Sequence, residues 1–159
     1  MKKLYNLSLM LFLLLNNSWA QDLDPDKFDD LFNSITNAYY NGELSEVDAY
    51  ENYLYLADSG HIDSSIEVGW FLYTGIETEP GSNSFLVPSD YAMALNYLEG
   101  PINQNNVNAL AIAGYIHEEG PGDYGWNNVP QNLIEAVRLY KMATLWELLL
   151  KSGLHLLNR

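Results

Sequence analysis

The sequence predicts an all-helical protein: an α/α superhelix made of a few helix-turn-helix repeats, which follows a signal peptide. Two observations lead to this prediction. Three segments align as helices that end at a glycine, and each is followed by a second segment in which an alanine recurs at a nearly constant interval. A fixed period of this kind is typical of helical repeats, because one unit cannot bury its apolar face alone and must stack on its neighbours.

The first helix of each unit is predicted to end at Gly42, Gly75 or Gly120. The aligned segments are 35–42, 68–75 and 113–120, and each is apolar at helical spacing before the glycine. A glycine just past a helix can adopt the left-handed conformation that satisfies the last free carbonyl groups. These three glycines therefore predict three helix ends.

The second helices are predicted from their starts and from their alanines. Ser45 and Asp48 are spaced as a capping box, and Pro88 and Pro130 are expected in the first turn of their helices, where a missing N–H does no harm. The recurring alanines are separated by 45 and 42 residues and are predicted to share one inward face, since small residues let two helices approach closely. They are Ala49, Ala94 and Ala136.

Together these segments resemble the Sel-one-like repeat, a helix-turn-helix relative of the tetratricopeptide repeat, over about residues 27 to 144. The resemblance implies a right-handed stack of helix pairs that acts as an adaptor for other proteins. The units it implies are about 27–60, 61–104 and 105–144. One departure is Gly100-Pro101, which predicts that the second helix of the middle unit stops early.

The leucine-rich segment 145–159 does not fit the repeat. We expect a C-terminal capping helix here, because the open end of a helical stack has to be covered. A docking helix for another molecule and the remnant of a longer array are the alternatives.

The first 20 residues predict a signal peptide. Lys2 and Lys3 precede an apolar run at 9–15, and small residues at the expected positions indicate cleavage after Ala20. The leader is typical of an exported bacterial protein, and it is too short to span a bilayer. We therefore expect 21–159 to be a single domain without a transmembrane segment, located in the periplasm or secreted.

The composition limits the partners. The chain has no cysteine, so its stability must come from packing. Of its seven basic residues two belong to the leader, which leaves five against 21 acidic residues and makes nucleic acid a poor partner. The acidity has two interpretations: it keeps an exported protein soluble, or it attracts a basic protein or peptide. We expect a monomer.

No catalytic motif, cofactor site or metal site is predicted. His117-Glu118-Glu119 lacks the second histidine that a helical zinc site needs, and His117 is expected to be a packed, hydrogen-bonded core residue. Glu118 and Glu119 are candidates for contact with a partner, because acidic residues at the end of a helix oppose its macrodipole at about 0.3 to 1 kcal/mol each. Either a cationic partner offsets this cost, or an exposed turn tolerates it.

Aromatic residues supply the other candidate contacts. Phe85, Tyr124 and Trp126 lie in the two long connections, where an aromatic side chain either pins the loop to the helices or anchors a partner. Trp70 and Tyr73, near the end of a first helix, are further candidates.

These expectations define a non-catalytic scaffold for protein–protein interaction. Two alternatives stay open: a cell-wall-associated hydrolase-like or carbohydrate-active protein, and an inhibitor or immunity-like protein that masks a basic partner.

Overall fold

The computed structural model describes residues 25–82, 84–121 and 129–152. In these ranges the chain forms six helices: α1 Pro25–Tyr40, α2 Glu46–Asp58, α3 Ile62–Thr74, α4 Tyr91–Asn103, α5 Val107–Glu119 and α6 Leu133–Ser152. The prediction of an all-helical protein is thereby confirmed. The exception is a short antiparallel hairpin between α3 and α4, made of β1 Ile76–Glu77 and β2 Phe85–Val87. The predicted signal peptide lies outside the described residues.

The helices pack in chain order. Each contacts the next one along the chain, and α3 also contacts α5. A single cluster of buried apolar side chains includes residues from all six helices, so one core runs through the described part. None of these helices has both the length and the hydropathy that a membrane span requires.

Burial follows the predicted repeat. The three alanines expected on an inward face, Ala49, Ala94 and Ala136, are almost completely buried. Equivalent positions of the first helices also agree: Ile35, Val68 and Ala113 are buried, whereas Asn37, Trp70 and Tyr115 are exposed. The same face of α1, α3 and α5 therefore points to the core, and the same row of positions points to solvent.

Two glycines allow the first helices to lie against the second ones. A Cβ atom at Gly69 would lie 2.7 Å from the side chain of Leu98, and one at Gly114 would overlap the ring of Tyr140. A separate glycine, Gly120, ends α5 with a positive φ of 69° and donates its N–H to the carbonyl of Ile116. Glycine is thus required both inside the helix seam and at the helix end.

Three polar side chains cap the second helices, and they occupy equivalent positions four residues before the alanines. The caps are Ser45, which accepts the N–H of Asp48, Asp90, which accepts that of Met93, and Asn132, which accepts that of Glu135. The expectation that Pro88 and Pro130 lie in the first helical turn is wrong. Both prolines precede the cap, because the cap residue needs its own N–H: Asp90 donates to the carbonyl of Leu72, and Asn132 donates to that of His117, both at 2.7 Å.

The helix α4 does not stop early. It continues through Gly100 and Pro101 to Asn103. Pro101 is fully buried, and this packing outweighs the hydrogen bond that a proline removes from the helix.

Residues 145–152 extend α6 and do not form a separate capping helix. No glycine or proline lies between Leu133 and Ser152 to end the helix. Leu145, Leu148 and Leu150 are each more than half exposed. Residues 153–159 of the predicted cap lie outside the described part of the chain.

The close approach at Gly114 can be tested by adding one methyl group. We expect Gly114→Ala to lower the free energy of unfolding by about 1 to 3 kcal/mol, because the new Cβ overlaps the ring of Tyr140. Gly100→Ala is the matched control, since its Cβ would meet only Ile62, at 3.6 Å, in a helix that alanine favours. Urea unfolding followed by far-UV circular dichroism gives both values, and equal stability of the two variants would contradict this packing.

Candidate functional site

Side chains from four helices meet in one surface, which we call the tyrosine–glutamate patch. Its members are Trp70 and Tyr73 of α3, Tyr91 of α4, Tyr115, Glu118 and Glu119 of α5, and Tyr140 of α6. The structure therefore brings four of the predicted contact residues together: Trp70, Tyr73, Glu118 and Glu119. Trp70 and Tyr115 occupy the same position in the aligned segments 68–75 and 113–120, and their helices α3 and α5 are in contact.

The rings of the patch form a connected series around Tyr73. The ring centroid of Tyr73 lies 5.7 Å from Trp70, 5.5 Å from Tyr91 and 6.1 Å from Tyr115. Tyr115 in turn lies 5.7 Å from Tyr140. These separations are in the range in which aromatic pairs attract one another. Trp70 and Tyr115 each keep 43% of their surface exposed, so they present ring area to solvent.

The two glutamates accept hydrogen bonds from tyrosines on neighbouring helices. Tyr73 donates to Oε1 of Glu119 at 2.6 Å, and Tyr91 donates to Oε2 of the same carboxylate at 2.5 Å. Tyr140 donates to Oε2 of Glu118 at 2.6 Å. Hydrogen bonds to a charged acceptor are short and about twice as strong as neutral ones. They offset, within the chain itself, the cost of acidic residues at the end of α5.

The pKa values of three tyrosines in the patch, Tyr73, Tyr91 and Tyr140, are raised, so their hydroxyls stay protonated well beyond neutral pH. Burial, followed by the hydrogen bond to Glu119, raises the pKa of Tyr73 and of Tyr91 above the ordinary value of a tyrosine. Burial and the hydrogen bond to Glu118 raise the pKa of Tyr140 in the same way. Both effects favour the neutral phenol, which is the form that donates to a carboxylate.

No cation of the described chain pairs with these carboxylates. Among residues 25–82, 84–121 and 129–152, the ion pairs join His61 to Asp29, Arg138 to Glu135 and Lys151 to Glu147. Arg138 holds both oxygens of Glu135. The patch therefore keeps its negative charge without an ion pair from the described residues, while its geometry is set by neutral donors.

Of the other aromatic candidates, Phe85 is the one that lies in the described part of the chain. The ring of Phe85, on β2, is half-buried and covers Gly75, where a Cβ would lie 2.9 Å from the ring. This position is the one expected of a side chain that pins the hairpin to the end of α3. Tyr124 and Trp126 lie outside the described residues.

The environment of His117 differs from the one predicted for it. Its side chain is partly buried, but Nδ1 has no hydrogen-bond partner among the described residues. The prediction of a packed, hydrogen-bonded core histidine therefore fails at this nitrogen. The backbone carbonyl of His117 does accept a hydrogen bond, from Asn132.

Sequence reasoning missed a row of three residues whose order suggests a hydrolase. His61 contacts Oδ1 of Asp29 through Nε2 at 3.0 Å and Oγ of Ser64 through Nδ1 at 2.8 Å. Ser64 has no exposed surface, however, and Nδ1 of His61 also accepts the backbone N–H of Ser64. The geometry is that of an N-cap for α3 whose histidine is held by α1. No sequence signal announced it, because Asp29 is 32 residues from His61.

Within the described ranges, no group of three or more His, Cys, Asp or Glu side chains is arranged to hold a metal ion. Comparison of the chain with models of protein families, with curated proteins and with solved structures finds no match. The resemblance to the Sel-one-like repeat therefore remains a prediction from the residue pattern.

The tyrosine–carboxylate bonds make the stability sensitive to alkali. A tyrosine whose pKa is higher in the folded chain than in the unfolded one contributes stability that is complete below about pH 10 and is lost as the pH rises through the folded value. For Tyr97, which donates to Asp58, burial and this bond raise the pKa to about 12. We therefore expect the free energy of unfolding to fall between about pH 10 and 12.

Tyr140→Phe tests the contribution of one such bond. We expect this variant to lose about 1 to 2 kcal/mol near neutral pH, because the hydroxyl that donates to Glu118 is removed. Its stability should also fall less steeply above pH ~10 than that of the unmodified chain. Tyr40→Phe is the control, since Tyr40 is 77% exposed. Urea unfolding at a series of pH values measures the effect, and identical pH profiles for Tyr140→Phe and the unmodified chain would contradict it.

Proposed function

We propose that this chain is an exported, non-catalytic helical-repeat scaffold that holds a protein or peptide on the tyrosine–glutamate patch. The observation that carries the proposal is the combination of exposed rings, Trp70 and Tyr115, with two carboxylates that no cation of the described residues neutralises. Tryptophan and tyrosine are enriched among the residues that dominate binding energy in interfaces. The partner that fits this surface is basic.

The repeat architecture supports the same proposal. The pairs α1–α2, α3–α4 and α5–α6 correspond to the three units implied by the Sel-one-like resemblance, with α6 running past the third unit to Ser152, and each helix packs on the next. We propose that they form a short right-handed superhelix. In such an array a row of equivalent positions recurs along one surface, as Trp70 and Tyr115 do, and repeat proteins bind extended partners on their concave surface.

An inhibitor or immunity-like protein that masks a basic enzyme is the second candidate. It would use the same acidic patch and differs from the scaffold only in the partner. The hydrolase alternative has less support, because Ser64, whose hydroxyl contacts the imidazole ring of His61, is fully buried.

Export is the first part of the proposal to test. We expect the protein purified from the periplasm or the medium of its host to begin at Gln21, because cleavage after Ala20 fits the leader. Intact-mass spectrometry measures the start. Ala20→Tyr should block cleavage, and an uncleaved chain confined to the cytoplasm would contradict export.

The role of the patch is tested by binding. We expect wild-type protein to retain a basic partner from an envelope fraction at low salt and to release it at high salt, since screening weakens contacts between exposed charges. Trp70→Ala combined with Tyr115→Ala should lower the retained amount about tenfold or more. Leu86→Ala is the control, because Leu86 is 58% exposed but lies on the hairpin. Equal retention by all three proteins, each checked for an unchanged unfolding midpoint, would contradict the proposal.

A further inference from the structure

We propose that the group recognised by the patch is an arginine side chain of the partner, whose guanidinium lies on the exposed ring of Tyr115 and donates to the carboxylate of Glu118. This inference rests on the proposed function and adds the chemical identity of the recognised group. It is carried by the placement of the rings, the state of the two carboxylates and the charge around them.

Tyr115 and the two glutamates lie on one side of α5. Glu118 and Glu119 follow Tyr115 by three and four residues, and residues at this spacing are neighbours on a helix surface. A planar cation on the Tyr115 ring is therefore within reach of a carboxylate. The ring of Tyr73 is stacked with that of Tyr115, with 21° between the ring planes, and 43% of the surface of Tyr115 stays exposed to receive the guanidinium.

The carboxylates differ in what they can still accept. Both oxygens of Glu119 already accept a tyrosine hydroxyl, which fixes the orientation of that side chain. Glu118 accepts a hydrogen bond from Tyr140 through Oε2, and its side chain is exposed. A carboxylate has about four acceptor positions, so Glu118 retains capacity for an incoming donor. Glu119 orients the surface, and Glu118 is the acceptor for the ligand.

Arginine fits this arrangement better than lysine does. A guanidinium is flat, stacks on aromatic faces and is weakly hydrated, and its N–H groups are directed outward in the plane. It can lie on the ring of Tyr115 and donate sideways to Glu118 at the same time. The ammonium of lysine is a compact, strongly hydrated charge that gains less from contact with an aromatic ring.

The described residues do not supply the cation. Of the described basic residues, Arg138 and Lys151 are engaged by Glu135 and Glu147 on their own helix, and no lysine or arginine pairs with Glu118 or Glu119. An arginine from a partner therefore meets no competing ion pair at this site.

The inference is tested with two synthetic peptides of identical length that alternate glycine with either arginine or lysine. We expect isothermal titration calorimetry to show that the arginine peptide binds the mature chain on the order of fivefold to tenfold more tightly. Glu118→Gln and Tyr115→Leu should each remove this preference. Tyr40→Leu, an exposed tyrosine on α1, should keep it.

The possible outcomes separate the inference from the proposed function. Equal affinity for both peptides, lost in the Trp70→Ala and Tyr115→Ala double variant, would overturn arginine recognition and leave the basic-partner scaffold standing. Binding of neither peptide would overturn both. A preference for arginine that survives Glu118→Gln and Tyr115→Leu would overturn the assigned location, and circular dichroism of each variant verifies that its fold is intact.

Discussion

The hydrogen bond between a tyrosine hydroxyl and a carboxylate is the interaction on which the arrangement of these helices depends. Acidic residues greatly outnumber basic ones in this chain, so its carboxylates cannot all be satisfied by ion pairs. Tyrosine solves the problem with a neutral donor. The pairs join different helices: Tyr39 of α1 with Glu46 of α2, Tyr97 of α4 with Asp58 of α2, Tyr73 and Tyr91 with Glu119 of α5, and Tyr140 of α6 with Glu118 of α5.

The same bonds give the patch its character. A lysine or arginine in place of Tyr73 or Tyr91 would also hold Glu119, but it would cancel the charge. A phenol leaves the charge in place and fixes the direction of the carboxylate. Because the carboxylate is already oriented before binding, less conformational entropy is lost when a partner binds. The same side chains can therefore hold the helices together and form a surface that recognises a partner.

The parts of the fold that sequence reasoning predicted are local or periodic. Gly75 and Gly120 end their helices, and the alanines Ala49, Ala94 and Ala136 are buried. Both features could be predicted because they depend on spacing along the chain. Pro101 could not be predicted in this way. Proline disfavours the interior of a helix, but its burial in the folded chain outweighs this preference, and the burial is seen only in the structure. The caps Asp90 and Asn132 could have been predicted, because each lies four residues before its alanine, as Ser45 does.

The site was predictable only in outline. Glu118 and Glu119 were conspicuous because their charge opposes the helix dipole, but the donors that hold Glu119 are 46 and 28 residues away in sequence. Tyrosine carries no charge at neutral pH, so the charge pattern of the sequence does not indicate which tyrosine donates to a carboxylate. Trp70 and Tyr73 were predicted as single residues. Their contact with Tyr115 and Tyr140 in one cluster depends on the packing of α3, α5 and α6, which the sequence pattern does not give.

The use of tyrosine between helices has a consequence for how such a sequence can vary. Because lysine and arginine have little part in joining the helices of the described chain, their number at the surface can change without removing these contacts. Isoelectric point and architecture are therefore largely independent properties of this molecule. A lineage that carried the same tyrosines could adopt a different surface charge, suited to another compartment or ligand, and keep the same stack of helices.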